Sequence, residues 1–268
     1  MALDNIPADD PAFHEMARHC QDVSGFNPCD PEQSALRLTN SIRLQLFGTT
    51  MSLYRFDLLI HQHGLPDIMA EHSMGIYPAL AACGAADRTT ALELTCRIGV
   101  CLATMGARCD YALGCVTGLT GTPLDSIAAN NDVHIANYNT SRHFLLAGER
   151  ERIQAATLEA EAAGAFSVGI FPCDAPLHTP LVNEVVAELR SIVADYTFYE
   201  PDIPLVDHLE QRRLKAADIP CFLVEELCRP VFWEKTYRAL QREGVKHFYE
   251  VGSGSSLTKF NRWVESGL

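Results

Sequence analysis

Apolar residues recur at helical spacing along the first part of the chain. Between residues 34 and 63 they stand at Leu36, Ile42, Leu46, Met51, Tyr54 and Leu58. This spacing predicts one or two amphipathic helices. Similar patterns predict a short helix over 12–23 and another over 89–105. Gly64 and Pro66 end the long stretch, and a short apolar run at 67–70 then leads into a helix predicted over 74–83.

Shorter apolar runs follow residue 110 and predict a mixture of strands and helices. Strands are predicted over 113–119, 133–139, 143–149 and 166–171, with helices over 124–131 and 150–163. The order strand–helix–strand–strand–helix–strand is that of a ferredoxin-like unit. We therefore expect a ferredoxin-like βαββαβ small subdomain at 111–173, inserted into a larger core formed by 1–110 and 174–268.

The remaining chain predicts a helix over 180–196, an irregular stretch over 201–230 and a helix over 230–243. A buried strand over 245–251 and a last helix after the turn at 252–255 complete the predicted elements. Together they predict an α/β fold. Its core is hydrolase-like, with a short parallel sheet and flanking helices.

Composition excludes several classes of function. The 268 residues are 47% hydrophobic and 21% charged, as is usual for a soluble globular protein. No segment has the roughly 20 apolar residues needed to span a bilayer, and the N-terminal residues lack the pattern of a secretory signal. A net charge of −13 disfavours nucleic-acid binding. Ten scattered cysteines without C-x-x-C spacing favour the reducing cytoplasm.

The histidines give no metal-binding pattern. Only His61 and His63 stand at a spacing that suggests ligands, and they fall at a predicted helix end with no acidic partner. We interpret this pair as surface residues and expect no metal site.

One serine lies between a predicted strand and a predicted helix. The segment Glu71-His72-Ser73-Met74-Gly75 matches half of the nucleophile elbow G-x-S-x-G, because only the second glycine is present. In such an elbow the serine hydroxyl is exposed at a helix N-terminus, where backbone N–H groups can stabilise an oxyanion. Taken alone, the segment is a weak signal, and a serine that caps a helix is its more common explanation.

Four segments resemble motifs of the malonyl-CoA:acyl-carrier-protein transacylase family, in the family's order. PDIMAEHSMGIYPALAACGA resembles its GHSxGEYxAL elbow, and VHIANYNTSRHFLLAGE resembles the hairpin of its small domain. FPCDAPLHTPLV resembles the segment of its catalytic histidine, and RPVFWEKTYRALQREGVKHFYEVGSGSSLTKF resembles its C-terminal signature. The four matches run from residue 66 to residue 260 at family-like spacing.

The resemblance implies a reaction and a set of partners. Ser73 would attack malonyl-CoA, His178 would accept its proton, and the Met74 backbone N–H would stabilise the oxyanion. The phosphopantetheine thiol of an acyl carrier protein would then take the malonyl group. The resemblance implies no cofactor beyond the coenzyme A thioester and a monomeric protein.

Four further residues are implied to contact the substrate or the catalytic histidine. Arg97 matches the arginine that binds the malonyl carboxylate, although it is also consistent with a surface arginine paired with Glu93. His72 would line the pocket, or pack as a core histidine. Asn137 would lie near the pantetheine channel, or stabilise the hairpin. Glu226 aligns with a glutamine near the backbone carbonyl that orients the family's histidine.

The sequence also departs from the family. The F-P-G-Q-G-S motif, whose glutamine supplies the second oxyanion donor, does not occur, and Glu71, Ile76 and His143 replace family residues. We therefore expect a divergent member. Two alternatives stay open, a serine acyl-thioester hydrolase that uses the same residues and a non-catalytic family member.

Overall fold

Two helices near the N-terminus form one layer of the core. The computed structural model describes residues 6–7, 9–30 and 38–267. Helix α1 (Pro11–Ser24) starts after Asp10, whose side chain accepts a hydrogen bond from the Ala12 N–H. Helix α2 (Asn40–His63) starts in the same way at Thr39. Both helices confirm predictions, but residues 34–37 of the second predicted stretch lie outside the described residues.

A strand, a tight turn and two helices follow. Strand β1 (Met69–Ala70) leads through a 3-10 turn (Ser73–Gly75) into α3 (Ile76–Ala82). Helix α4 (Arg88–Gly106) begins after Asp87, whose carboxylate accepts a bond from the Thr90 N–H. These elements lie where the hydrophobic pattern predicted them.

The next part of the chain forms a four-stranded antiparallel sheet with two helices. Its elements are β2 (Tyr111–Thr117), α5 (Gly121–Asn130), β3 (His134–Thr140), β4 (His143–Glu149), α6 (Arg150–Ala162) and β5 (Ser167–Cys173). The strands are arranged β3-β4-β2-β5. Alternate residues of β2 are buried, so this sheet packs one face against its own apolar cluster, which includes Val116, Phe144 and Ile153.

The last part of the chain returns to the main core. A 3-10 segment (Pro180–Val185) is followed by α7 (Val186–Ala194), β6 (Leu205–Val206), α8 (Ile219–Cys228), α9 (Trp233–Arg242) and α10 (Ser256–Ser266). Strand β6 pairs in parallel with β1, with Met69 opposite Leu205 and Ala70 opposite Val206. The short parallel sheet of the core is therefore these two strands, and it fixes the start of the Ser73 turn.

Two predictions in this region are wrong. Residues 201–230, predicted to be irregular, contain β6 and α8. Residues 245–251, predicted to be a strand, form no strand and are half-buried or exposed. A strand requires a hydrogen-bonding neighbour, which a local apolar pattern does not provide.

The largest apolar cluster joins α3, α4, α7 and α8 around β6, with Leu80, Ile98 and Leu223 among its buried side chains. Burial of each such side chain contributes about 1.5–3 kcal/mol. Within the described ranges, none of the helices combines the length and the apolar character required to cross a bilayer.

Candidate active site

Ser73 occupies a strained backbone position. His72 is extended, but Ser73 has φ 58°, a left-handed conformation that costs a non-glycine residue about 1–2 kcal/mol. The chain then enters the 3-10 turn and α3, so the serine lies at the start of a helix. Such strain at a polar residue is typical of a functional turn.

His178 lies directly against this serine. Its Nε2 is 2.6 Å from Ser73 Oγ, and its Nδ1 is 2.7 Å from the backbone carbonyl of Glu226. Because a carbonyl only accepts, Nδ1 bears the hydrogen and Nε2 presents its lone pair to the serine hydroxyl. The histidine is therefore held in the tautomer that can accept the serine proton.

The backbone of His178 is also held in place. The residue has φ 61°, and its N–H donates to the carbonyl of Leu227 at 2.7 Å. Both carbonyls that hold His178 belong to the last turn of α8, where helix carbonyls have no partner within the helix. The helix that the sequence pattern missed thus orients the histidine. Proline at its N-terminus and Pro230 just past its end were the available signals.

Burial sets the charge state of the site. His178 is 4% exposed, and this burial lowers its pKa below the ordinary value for histidine. The ring is therefore neutral near pH 7 and can act as a base. Met74, the residue after the serine, provides a backbone N–H in the first turn of the helix, where such groups are free to bind an anion.

A chain of polar side chains links the Ser73 turn to the antiparallel sheet. His72 Nε2 lies 2.9 Å from Asn139 Oδ1, and Asn139 Nδ2 lies 3.1 Å from His143 Nδ1. His72 also contacts the edge of Trp233 at the start of α9, with ring centroids 5.7 Å apart. Burial lowers the pKa of His72 to about 4, so this ring too is neutral.

The contact with His72 is made by Asn139 and not by Asn137, which was predicted to lie near the pantetheine channel. Asn137 lies two residues earlier on β3, is buried, and forms a backbone bridge with Val231. The structure therefore brings Asn139 to the serine turn and places Asn137 where the sheet meets the segment before α9.

The contacts of Arg97 are with surface residues near the end of α7, and they lend no support to its predicted role in binding the substrate. Its guanidinium lies 2.6 Å from the Asp195 carboxylate and 3.1 Å from the Tyr196 hydroxyl, and its side chain is 42% exposed. On α4 the buried face includes Ile98, whereas Arg97 shares the outer face with the exposed Val100. The predicted partner Glu93 is not the residue that holds it.

Glu71 explains the missing first glycine of the elbow. Its carboxylate is fully buried and bonds to His208, with Nδ1 at 2.7 and 2.8 Å from the two oxygens and the backbone N–H at 3.1 Å. Burial raises the pKa of Glu71 well above its ordinary value. His208 follows β6 in a stretch without periodic pattern, so nothing in the sequence marked it as part of the site.

The side chain of Glu226 completes a buried acid–base cluster. Its Oε2 is 3.5 Å from His178 Nδ1, and it is 0% exposed. Within the described residues, His178, His208 and Glu226 are also the set that could hold a metal ion, with donor atoms within 4.8 Å of one another. Both ring nitrogens of His178 already lie at hydrogen-bond distance from other groups, which favours a proton-transfer role over ligation.

Curated relatives share a large part of the chain. A malonyl CoA-acyl carrier protein transacylase of Escherichia coli O157:H7 is 30% identical over 230 residues, which are 83% of this chain and 74% of that protein. The polyketide biosynthesis protein ThaF of Burkholderia thailandensis is 30% identical over 204 residues. The match covers 75% of this chain but spans only 17% of ThaF.

Solved structures share the fold. An acyl-carrier-protein S-malonyltransferase of Burkholderia pseudomallei 1710b superposes with a TM-score of 0.87 at 25% identity, over 99% of this chain and 89% of that chain. No protein-family model matches the sequence.

Proposed function

The chain belongs to the malonyl CoA-acyl carrier protein transacylase family, and we propose that it moves the malonyl group through an acyl-serine intermediate on Ser73. The reaction is an acyl-carrier-protein S-malonyltransfer, as in the relatives. The proposal for the residues rests on one observation. Ser73 Oγ, His178 Nε2, His178 Nδ1 and the Glu226 carbonyl form a continuous hydrogen-bonded line at 2.6 and 2.7 Å.

In the first half of the reaction Ser73 is acylated. As Oγ attacks the thioester carbonyl carbon of malonyl-CoA, its proton passes to His178 Nε2. The Met74 N–H, aided by the positive end of the α3 dipole, stabilises the oxyanion of the tetrahedral intermediate. The C–S bond then breaks, and the coenzyme A thiolate leaves with the proton from His178.

In the second half the acyl group moves to the carrier protein. The phosphopantetheine thiol gives its proton to His178 Nε2 while its sulfur attacks the acyl-serine carbonyl carbon. The C–O bond breaks, and the Ser73 oxygen regains the proton. The neutral ring of His178 suits both halves, because it must accept a proton at the start of each.

We also propose roles for the antiparallel unit. We interpret residues 111–173 as an inserted ferredoxin-like subdomain whose β3 forms one wall of the cleft. The contact between His72 and Asn139 supports this interpretation, because it joins β3 to the serine turn. His72 would then border the acyl group, and Asn137, further along the same strand, would border the pantetheine arm.

The experiment that tests this function is transfer to a phosphopantetheinylated acyl carrier protein. Incubation of the chain with malonyl-CoA and the carrier should give malonyl-carrier, measured by mass spectrometry of the carrier. Arg97→Ala is a control, because its guanidinium binds Asp195 at the surface, and it should transfer malonyl at a rate close to that of the wild type. Release of free malonate with no malonyl-carrier would support a hydrolase and contradict the proposal.

A further inference from the structure

Three buried polar atoms beside the catalytic histidine have no hydrogen-bond partner among the described residues. They are Nε2 of His208 and both carboxyl oxygens of Glu226. Buried polar groups without partners are costly, so they are rare unless they serve a function. A ring nitrogen of His208 and a carboxyl oxygen of Glu226 lie within 4.8 Å of each other, which is close enough for a direct bond after a small shift or for one bridging water.

The proton count of the Glu71–His208 pair decides which atom is the donor. Both side chains are 0% exposed, so an arrangement with no net charge is favoured. A carboxylate with an imidazolium is one such arrangement, and a carboxylic acid that donates to Nδ1 of a neutral ring is another. In these two arrangements Nε2 of His208 bears a hydrogen, which a carboxylate at Glu226 can accept.

We propose that the side chain of Glu226, held as a carboxylate by His208, is a positioning group that stabilises the imidazolium formed on His178 during acyl transfer. The inference rests on the proposed function of Ser73 and His178. Glu226 Oε2 lies 3.5 Å from His178 Nδ1, so the ring already faces this carboxyl group while its hydrogen is bonded to the backbone carbonyl. When the serine proton reaches Nε2, the negative charge of the Glu226 carboxylate offsets the positive charge of the His178 imidazolium, and the buried cluster becomes neutral.

Several neighbouring groups affect the charge state of this cluster. Burial raises the pKa of Glu226, and the nearby Glu71 raises it further, so the proposed carboxylate form requires a hydrogen bond from His208 that offsets both effects. Arg229, three residues further along the chain, bonds to Glu210 and Glu225 at the surface, and its positive charge adds to the effect of burial in lowering the pKa of His208. The other titratable groups that act on the cluster are His72, Tyr77, Asp207 and Cys228.

Glu226→Gln tests the inference, because glutamine keeps the size of the side chain and the backbone carbonyl but removes the charge. Without the carboxylate the imidazolium is less stable, so the pKa of His178 falls. The acid limb of the pH–rate profile for acylation of Ser73 should then move down by about one pH unit, and the rate at neutral pH should fall about tenfold. Acylation is measured by rapid quench with malonyl-CoA and intact mass.

Matched variants separate charge from packing. Glu225→Gln removes a neighbouring charge that lies at the surface. It should leave unchanged both the acylation rate and the midpoint of the acid limb of the pH–rate profile. Glu226→Asp keeps the charge at a greater distance and should give a midpoint between those of the wild type and the glutamine variant. An unchanged profile in Glu226→Gln, or a slower rate with no shift of midpoint, overturns the inference. Absence of acylation in the wild type is a different result, because it contradicts the proposed function itself.

Discussion

Replacing His178 with alanine should slow acylation of Ser73 by about 10³–10⁴-fold, which is the upper part of the range for loss of a general base. Nε2 of this ring is the nitrogen at hydrogen-bond distance from Ser73 Oγ, at 2.6 Å. Without this nitrogen the hydroxyl must attack the thioester while it keeps its proton. A serine hydroxyl that keeps its proton is a weak nucleophile, so the reaction slows. The rate is measured by quenched-flow incubation with malonyl-CoA and intact mass.

The backbone at this position calls for a second variant. His178 has φ 61°, which asparagine tolerates better than alanine, so His178→Asn should keep the local fold and still lose the rate. His61→Ala, at an exposed helix end, is the matched control and should load at the wild-type rate. A His178→Asn protein that is folded and acylated within tenfold of the wild type would contradict the role of His178 as base.

Replacing Glu71 with alanine should reduce the free energy of unfolding by about 3–5 kcal/mol, the range for loss of one partner of a buried ion pair. Glu71 accepts a bond from the backbone N–H of His208 and bonds to the ring of the same residue, and both side chains are 0% exposed. The substitution leaves these two groups of His208 buried without their partner. Urea denaturation followed by fluorescence measures the change.

A double-mutant cycle separates this pair from general packing. If the two residues stabilise each other, Glu71→Ala combined with His208→Ala should cost at least about 1 kcal/mol less than the sum of the single changes. Glu225→Ala is the surface control and should lie within about 0.5 kcal/mol of the wild type. Strictly additive losses would show that the two side chains contribute independently, against the coupling described here.

Much of the fold could be predicted from the sequence because its elements bury a regular pattern. The helices around Leu46 and Leu94, and the strand–helix order of 111–173, follow from apolar spacing alone. Helix α8 was missed because it lies in a stretch with several prolines. The predicted strand at 245–251 failed because pairing depends on a neighbouring strand and not on its own residues.

The residues of the site were likewise predicted only in part. Ser73 and His178 were predicted from short motifs, and the structure brings them together although 105 positions separate them. Arg97 was assigned to the substrate from its place in a motif, but the outer face of α4 directs it to Asp195. His208 has no local pattern, and only the fold shows that it fills the space beside Glu71. Residue chemistry could be predicted locally, whereas orientation and long-range pairing could not.

The most direct measurement of the acyl-serine mechanism is the intact mass of the chain after brief incubation with malonyl-CoA in the absence of any thiol acceptor. We predict a mass increase of one malonyl group on the wild type, mapped by peptide fragmentation to Ser73. The increase should disappear in Ser73→Ala and be discharged by a phosphopantetheinylated carrier protein. An adduct that persists in folded Ser73→Ala, or the absence of an adduct on the wild type at saturating malonyl-CoA, would contradict the mechanism.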